Sequence, residues 1–182
     1  MASSTSASDG ASAAPATPSD PATAPRTVAL HTVAEQATAI DELIGHARRR
    51  ICVFDHDLSQ MGWNEPQRID RLAAFLRGVR GRRLDIIVHD TTYLEAWCPR
   101  LLSLLRAYSH AVTICRTGPE ARQATDPLVV VDDRHYLHRF HYEQPRAALG
   151  IEQPEQARPL ARRYDEIWAT AEPGVNATVL GL

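Results

Sequence analysis

Residues 125–142 read "TDPLVVVDDRHYLHRFHY", and here the grammar of the chain changes. The apolar run "LVVVD" meets a second β-rich run, "YLHRFHY", across the three residues "DRH". Two such runs with so short a polar joint read as a β-hairpin. Alternation puts Tyr136, His138, Phe140 and Tyr142 on one face of the second strand, and Leu137, Arg139 and His141 on the other. Histidines three apart therefore face opposite ways, so His135, His138 and His141 make poor metal pairs. His135, at the turn, reads as solvated. His138 shares an otherwise aromatic face and reads as a satisfied core histidine or as a base. Arg139 is placed to pair with Asp132 or Asp133 across the turn, or to hold a phosphate.

Upstream the pattern is α-β-α-β-α-β. Thr32 and Glu35 have the spacing of a capping box, with Val33, Ala37, Ile40, Ile44 and Ala47 at helical period behind it. Arg48, Arg49 and Arg50 close that helix, where positive charge suits the dipole. "ICVF" then runs into "DHD" as a strand buried on both faces. A second helix starts at Pro66, carries Ile69, Leu72, Leu76 and Val79 on one side, and ends near Gly78 and Gly81. "LDIIVHD" is the next strand. Residues 93–108 are helical by period, with Pro99 kinking or dividing them, and "AVTICR" is the third strand. Strands joined by helices imply parallel neighbours in an α/β layered fold. After the hairpin, a loop with Pro145, Gly150 and Pro154 leads to a last helix whose apolar side is Leu160, Tyr164, Ile167 and Trp168. Residues 1–26 are almost all small or polar and read as a disordered tail, which leaves 27–182 as one folded domain.

Composition removes whole classes of chemistry. The chain has 182 residues, a net charge of −2 and a pI of about 6.4, so no global basic surface advertises nucleic acid. The local basic spots, Arg48–Arg50 and Arg82–Arg83, read as solvated helix and loop ends. All 20 Lys and Arg residues are arginine, which excludes a Schiff base and any lysine-borne phosphate contact. Cys52, Cys98 and Cys115 form no CxxC pair and read as buried free thiols in a reducing compartment, the cytoplasm. No apolar run approaches the ~20 residues of a membrane span, and no cofactor motif is present.

In an open parallel sheet, ligands gather beyond the carboxyl ends of the strands. Two strands end there in His-Asp: Asp55, His56 and Asp57 on one, His89 and Asp90 on the other. These acids read as caps of the following segments, as a polar ligand pocket, or as a metal site whose coordination number no motif fixes.

The order of elements, the "PLVVVDD" strand with its return, and a closing helix with "YDEIW" resemble one half-unit of a phospholipase D-like domain over residues 32–171. A single-copy bacterial domain family of unknown function, sometimes joined to an acetyltransferase domain, has the same pattern. The resemblance implies a mixed sheet flanked by helices. Active members of that superfamily carry H-x-K-x-x-x-x-D on this strand, the histidine attacking phosphorus and the lysine holding the phosphate. Counted back from Asp132, those positions are Thr125 and Pro127, so only the aspartate matches. A proline supplies no cation, and a threonine without a base is a poor nucleophile. The resemblance therefore implies a non-catalytic binding or regulatory module, with a partner protein, a phosphorylated small molecule or, disfavoured by the charge, a nucleic acid as ligand and a homodimer as assembly. The rival reading is a phosphodiesterase-type hydrolase with a relocated site. In it, His138, His89 or His56 serves as base or nucleophile, Asp55, Asp57, Asp90 or Asp132 orients it, and Arg139 holds the anion.

Overall fold

The computed structural model describes residues 24–175. The tail predicted over residues 1–26 lies mostly outside them. Among the described residues eight strands form one mixed sheet: β1 Arg26–Leu30, β2 Arg50–Asp55, β3 Arg83–Val88, β4 Val112–Arg116, β5 Leu128–Val131, β6 His135–His141, β7 Gln144–Ile151 and β8 Glu172–Pro173. Their order is β1-β7-β6-β5-β2-β3-β4-β8. The centre β2-β3-β4 is parallel, and every other pairing is antiparallel. The strands β2, β3 and β4 thus share a carboxyl edge and an amino edge of the sheet.

Among the described residues five α-helices cover the sheet: α1 Val33–His46, α2 Pro66–Arg77, α3 Thr92–Trp97, α4 Pro99–Ala107 and α5 Pro154–Ala169. Helices α1 to α4 bury Ile40, Leu43, Leu72, Phe75, Leu101 and their neighbours on one face, with Ile51, Val53, Ile86 and Val129 beneath. On the other face α5 sets Ala157, Ala161, Tyr164 and Ile167 against Cys52, Phe54, Ile87, Val130 and Tyr136. The capping box forms as read: Thr32 Oγ1 accepts from Glu35 N–H, and Glu35 Oε2 accepts from Thr32 N–H. Pro99 divides the long helical stretch into α3 and α4.

Several sequence expectations need correction. The first helix ends at His46, and Arg50 opens β2 rather than closing α1. The strand β1 precedes α1 and was not foreseen. The segment read as a loop is β7, paired with β1 and β6. Its alanines and Pro145 are poor strand signals. Gly150 is needed here for close approach, because a Cβ would meet Tyr136 Cε1 at 2.1 Å. The ring of Tyr136 lies across its cross-strand partner and fills that space.

Candidate functional site

The hairpin opened by the quoted stretch exists, with β5 and β6 antiparallel. Asp132 and Asp133 both take left-handed backbone, at φ of 53° and 57°, where aspartate is better tolerated than most residues. The turn sits at the amino edge, and Asp132 is consumed there. Its Oδ1 accepts from the Arg49 and Arg50 N–H groups at 2.8 and 2.7 Å, and its Oδ2 from Arg48 N–H at 2.6 Å. The one motif residue that matches is therefore a clamp on the α1–β2 connection.

At the carboxyl edge, cross-strand register lays out one row on the four-helix face. Leu30 pairs Ala147, Ala147 pairs Arg139, and Arg139 N–H donates to Pro127 O at 2.8 Å. Asp55 follows one step beyond the Phe54–Leu128 pair. Pro127 thus stands between a buried acid and a buried arginine, 7 % and 3 % exposed. Burial pushes Asp55 up to about 6; the bond from His56 N–H and the Arg139 charge oppose this, and the Asp57 charge adds to it. Burial lowers Arg139, and Asp55 partly restores it. Arg139 does not reach Asp132 or Asp133 as the sequence suggested. Its Nε donates to Gln144 O at 2.8 Å, at the far end of β6 from the turn.

The other carboxyl-edge candidates are mostly engaged locally. Asp57 Oδ1 accepts from Ser59 N–H and Oγ, at 2.9 and 2.7 Å. Asp90 Oδ1 accepts from Thr92 Oγ1 and N–H, at 2.6 and 2.9 Å, and these bonds lower its pKa. Both act as caps of the next segment. The His89 ring is held at both nitrogens, Nδ1 by Thr117 Oγ1 and Nε2 by Ala124 O, each at 2.7 Å. A carbonyl only accepts, so Nε2 carries the proton and Nδ1 accepts from the threonine hydroxyl. Burial lowers the His89 pKa; the bond to Ala124 O opposes this, and the His56 and Arg122 charges add to it. His56 meets the edge of His89 at 5.6 Å and stacks flat on Tyr142 at 4.6 Å; Tyr142 stacks in turn on His141 at 5.0 Å. Among the described residues no group of three or more His, Cys, Asp or Glu side chains is arranged to hold a metal ion.

His138 lies on the α5 face, opposite Arg139. Its Nε2 is 3.1 Å from Asp126 Oδ2, and Asp126 Oδ1 accepts from Arg163 Nη2 at 2.5 Å. Burial works against ionisation of Asp126, yet bonds from His138 and Arg163 and their charges hold its carboxyl below the usual range. The structure therefore separates Asp132, His138 and Arg139: one at the amino edge, the others on opposite faces. The partner of His138 was missed, although its signal was present. Asp126 alternates to the His138 face and sits diagonally across the hairpin from it. No sequence signal places Arg163 there. His135, read as solvated, is 3 % exposed. It stacks on His46 at 4.8 Å, accepts from Glu152 N–H and lies 3.3 Å from Glu152 Oε1.

The fold has solved counterparts. Over 82 % of the chain it superposes on TrmBL2, an archaeal chromatin protein described as showing a novel mode of DNA binding, at TM-score 0.62 and 11 % identity. The match spans 54 % of that protein, about half its length. It superposes on Nuc from Salmonella typhimurium, a phospholipase D family member, at TM-score 0.61 and 12 % identity, over 82 % of this chain and 98 % of that one. NucT from Helicobacter pylori gives TM-score 0.54 and 14 % identity, over 82 % and 99 % of the two chains. These likenesses show a phospholipase D-like α/β fold. No curated protein sequence matches. The family model for Domain of unknown function (DUF7931) matches residues 32–180, and the chain belongs to that family.

Proposed function

We propose that this chain is a phospholipase D-like domain without phosphohistidine chemistry, serving as a binding or regulatory module. The observation that carries the reading is the row Asp55, Pro127, Arg139. Where the resemblance asks for a lysine ammonium, the sheet offers a pyrrolidine ring beside a carboxylate. With a pKa of about 6, Asp55 is mostly ionised at neutral pH and repels a phosphate. Arg139 is turned to Gln144 O. Thr125, at the nucleophile position, lies on the same face two residues further, and its carbonyl accepts from Tyr142 N–H at 2.8 Å. Loss of a covalent nucleophile lowers turnover by many powers of ten. Cytoplasmic location, a homodimer and a protein or phosphorylated small-molecule partner belong to the same proposal; light scattering reads the assembly directly. A chromogenic phosphodiester incubated with the purified chain tests the chemistry, and no release above buffer is expected.

One observation favours a second reading. The His138–Asp126 pair at 3.1 Å has the form of an oriented base, with Arg163 beside it for an anion. Under that reading the same phosphodiester is hydrolysed, and His138→Ala abolishes the release while leaving the melting temperature near that of the parent chain.

A further inference from the structure

The amino edge carries a feature the proposed function does not use. A cavity of about 710 Å³ lies where α2 ends and β3 and β4 begin, and Arg77, Arg80, Arg82 and Arg83 line it. None of its lining residues is acidic. In a chain of net charge −2, that concentration of guanidinium groups is local.

Two of the four are partly committed. Arg82 donates from Nη1 to Phe75 O at 2.8 Å, satisfying a carbonyl in the last turn of α2, and from Nε to Arg48 O at 3.0 Å in the α1–β2 connection. Its guanidinium lies over the Phe75 ring at 5.3 Å. Gly78 makes room for it, since a Cβ there would meet Arg82 Nη1 at 2.0 Å. Arg83 Nη2 donates to Asp85 Oδ1 at 3.1 Å. Arg77 and Arg80 are exposed and make no ion pair among the described residues. One cation answers a helix C-terminal dipole. Arg83 is answered by Asp85, and the charges of Arg77 and Arg80 repel one another unless an anion joins them.

We propose that this cavity is an anion site for a compact ligand carrying two or more phosphates, of nucleotide size. Guanidinium forks match phosphate oxygens geometrically, and the volume falls within the roughly 300–1,000 Å³ of small-molecule sites. Tyr108 and His110 line the same cavity and give a ring surface for the rest of the ligand. The arginines gather round one bounded space rather than along a stripe, which suits a small polyphosphate better than a nucleic-acid backbone. The site is at the opposite edge from Asp55 and stands whether or not the carboxyl edge turns over phosphodiesters.

Isothermal titration of the full chain with sodium tripolyphosphate, and then with ADP, tests this at about 0.15 M salt, where weak surface attraction is screened. Saturable binding with Kd below about 1 mM is expected for both probes. The double variant Arg77→Glu, Arg80→Glu should weaken each by about tenfold or more, since charge-assisted bonds to phosphate are lost. Gly78→Ala, which displaces the Arg82 guanidinium, should weaken them too. Arg146→Glu, an exposed change on β7, should leave both affinities unchanged. The proposal is overturned by absence of saturable binding in the parent chain. Equal loss in Arg146→Glu, or binding confined to a single-stranded oligonucleotide with a steep salt dependence, overturns it as well.

Discussion

At the carboxyl edge, Asp57, His89 and Asp90 each have polar atoms occupied by neighbours within the protein, and Asp55 is buried beside Arg139. At the amino edge, Arg77 and Arg80 stand round an acid-free cavity. Chemistry is expected at the first edge from the parallel-sheet rule, yet its polar groups mostly hold the fold together. At the second edge Arg48–Arg50 and Arg82–Arg83 read as solvated helix and loop ends, and beside them the exposed Arg77 and Arg80 make no ion pair among the described residues. Charge matched inside the protein supports structure, whereas charge left unmatched is free to meet a ligand.

The largest effect that could break this contrast is at Asp132, the acid the motif shares with active enzymes. Asp132→Ala removes three backbone donors' acceptor and places alanine at positive φ, so a loss of about 4 kcal/mol in urea denaturation is expected. An unchanged midpoint would return Asp132 to the list of functional acids.

Next comes Asp55. Its folded-state carboxyl keeps the proton to about pH 6, against an ordinary value of 3.8, so the folded state binds more protons in between. Stability should therefore fall as pH rises through that window, by roughly 3 kcal/mol. Asp55→Asn should flatten the slope; a slope that survives would mean another group titrates there. Gly150→Ala drives a methyl into the Tyr136 ring and should cost about 2 kcal/mol by calorimetry, which sharpens the claim that β7 is a true strand. His138→Ala should be mildest, at about 1 kcal/mol, because Arg163 still answers Asp126.

The parallel centre was legible because Ile51–Phe54 is an unbroken apolar run and Leu84–Val88 is apolar but for Asp85, both flanked by capped or proline-started helices. The antiparallel wing was only half legible. "LVVV" and "YLHRFHY" announce themselves, but "QPRAALGI" hides a strand because its fitness for the sheet comes from its partners. Which acids fall in which loop was visible; what each one touches was not. The three amides that claim Asp132 come from residues 82 to 84 positions earlier in the chain, and hairpin chemistry alone does not point to them. The Asp126–His138 pair was recoverable from strand alternation, whereas Arg163 needed the docking of α5. The basic groove joins "RGVRGRR" to the ends of two strands and could be seen only once the chain was folded.

The proposed function requires that the chain, with Thr125 and Pro127 just ahead of β5, forms no covalent bond to phosphorus. Intact-mass spectrometry of the chain quenched during incubation with a phosphodiester reads this directly. The unmodified mass is the predicted result; a phosphoryl adduct that maps to any histidine of the chain would contradict it.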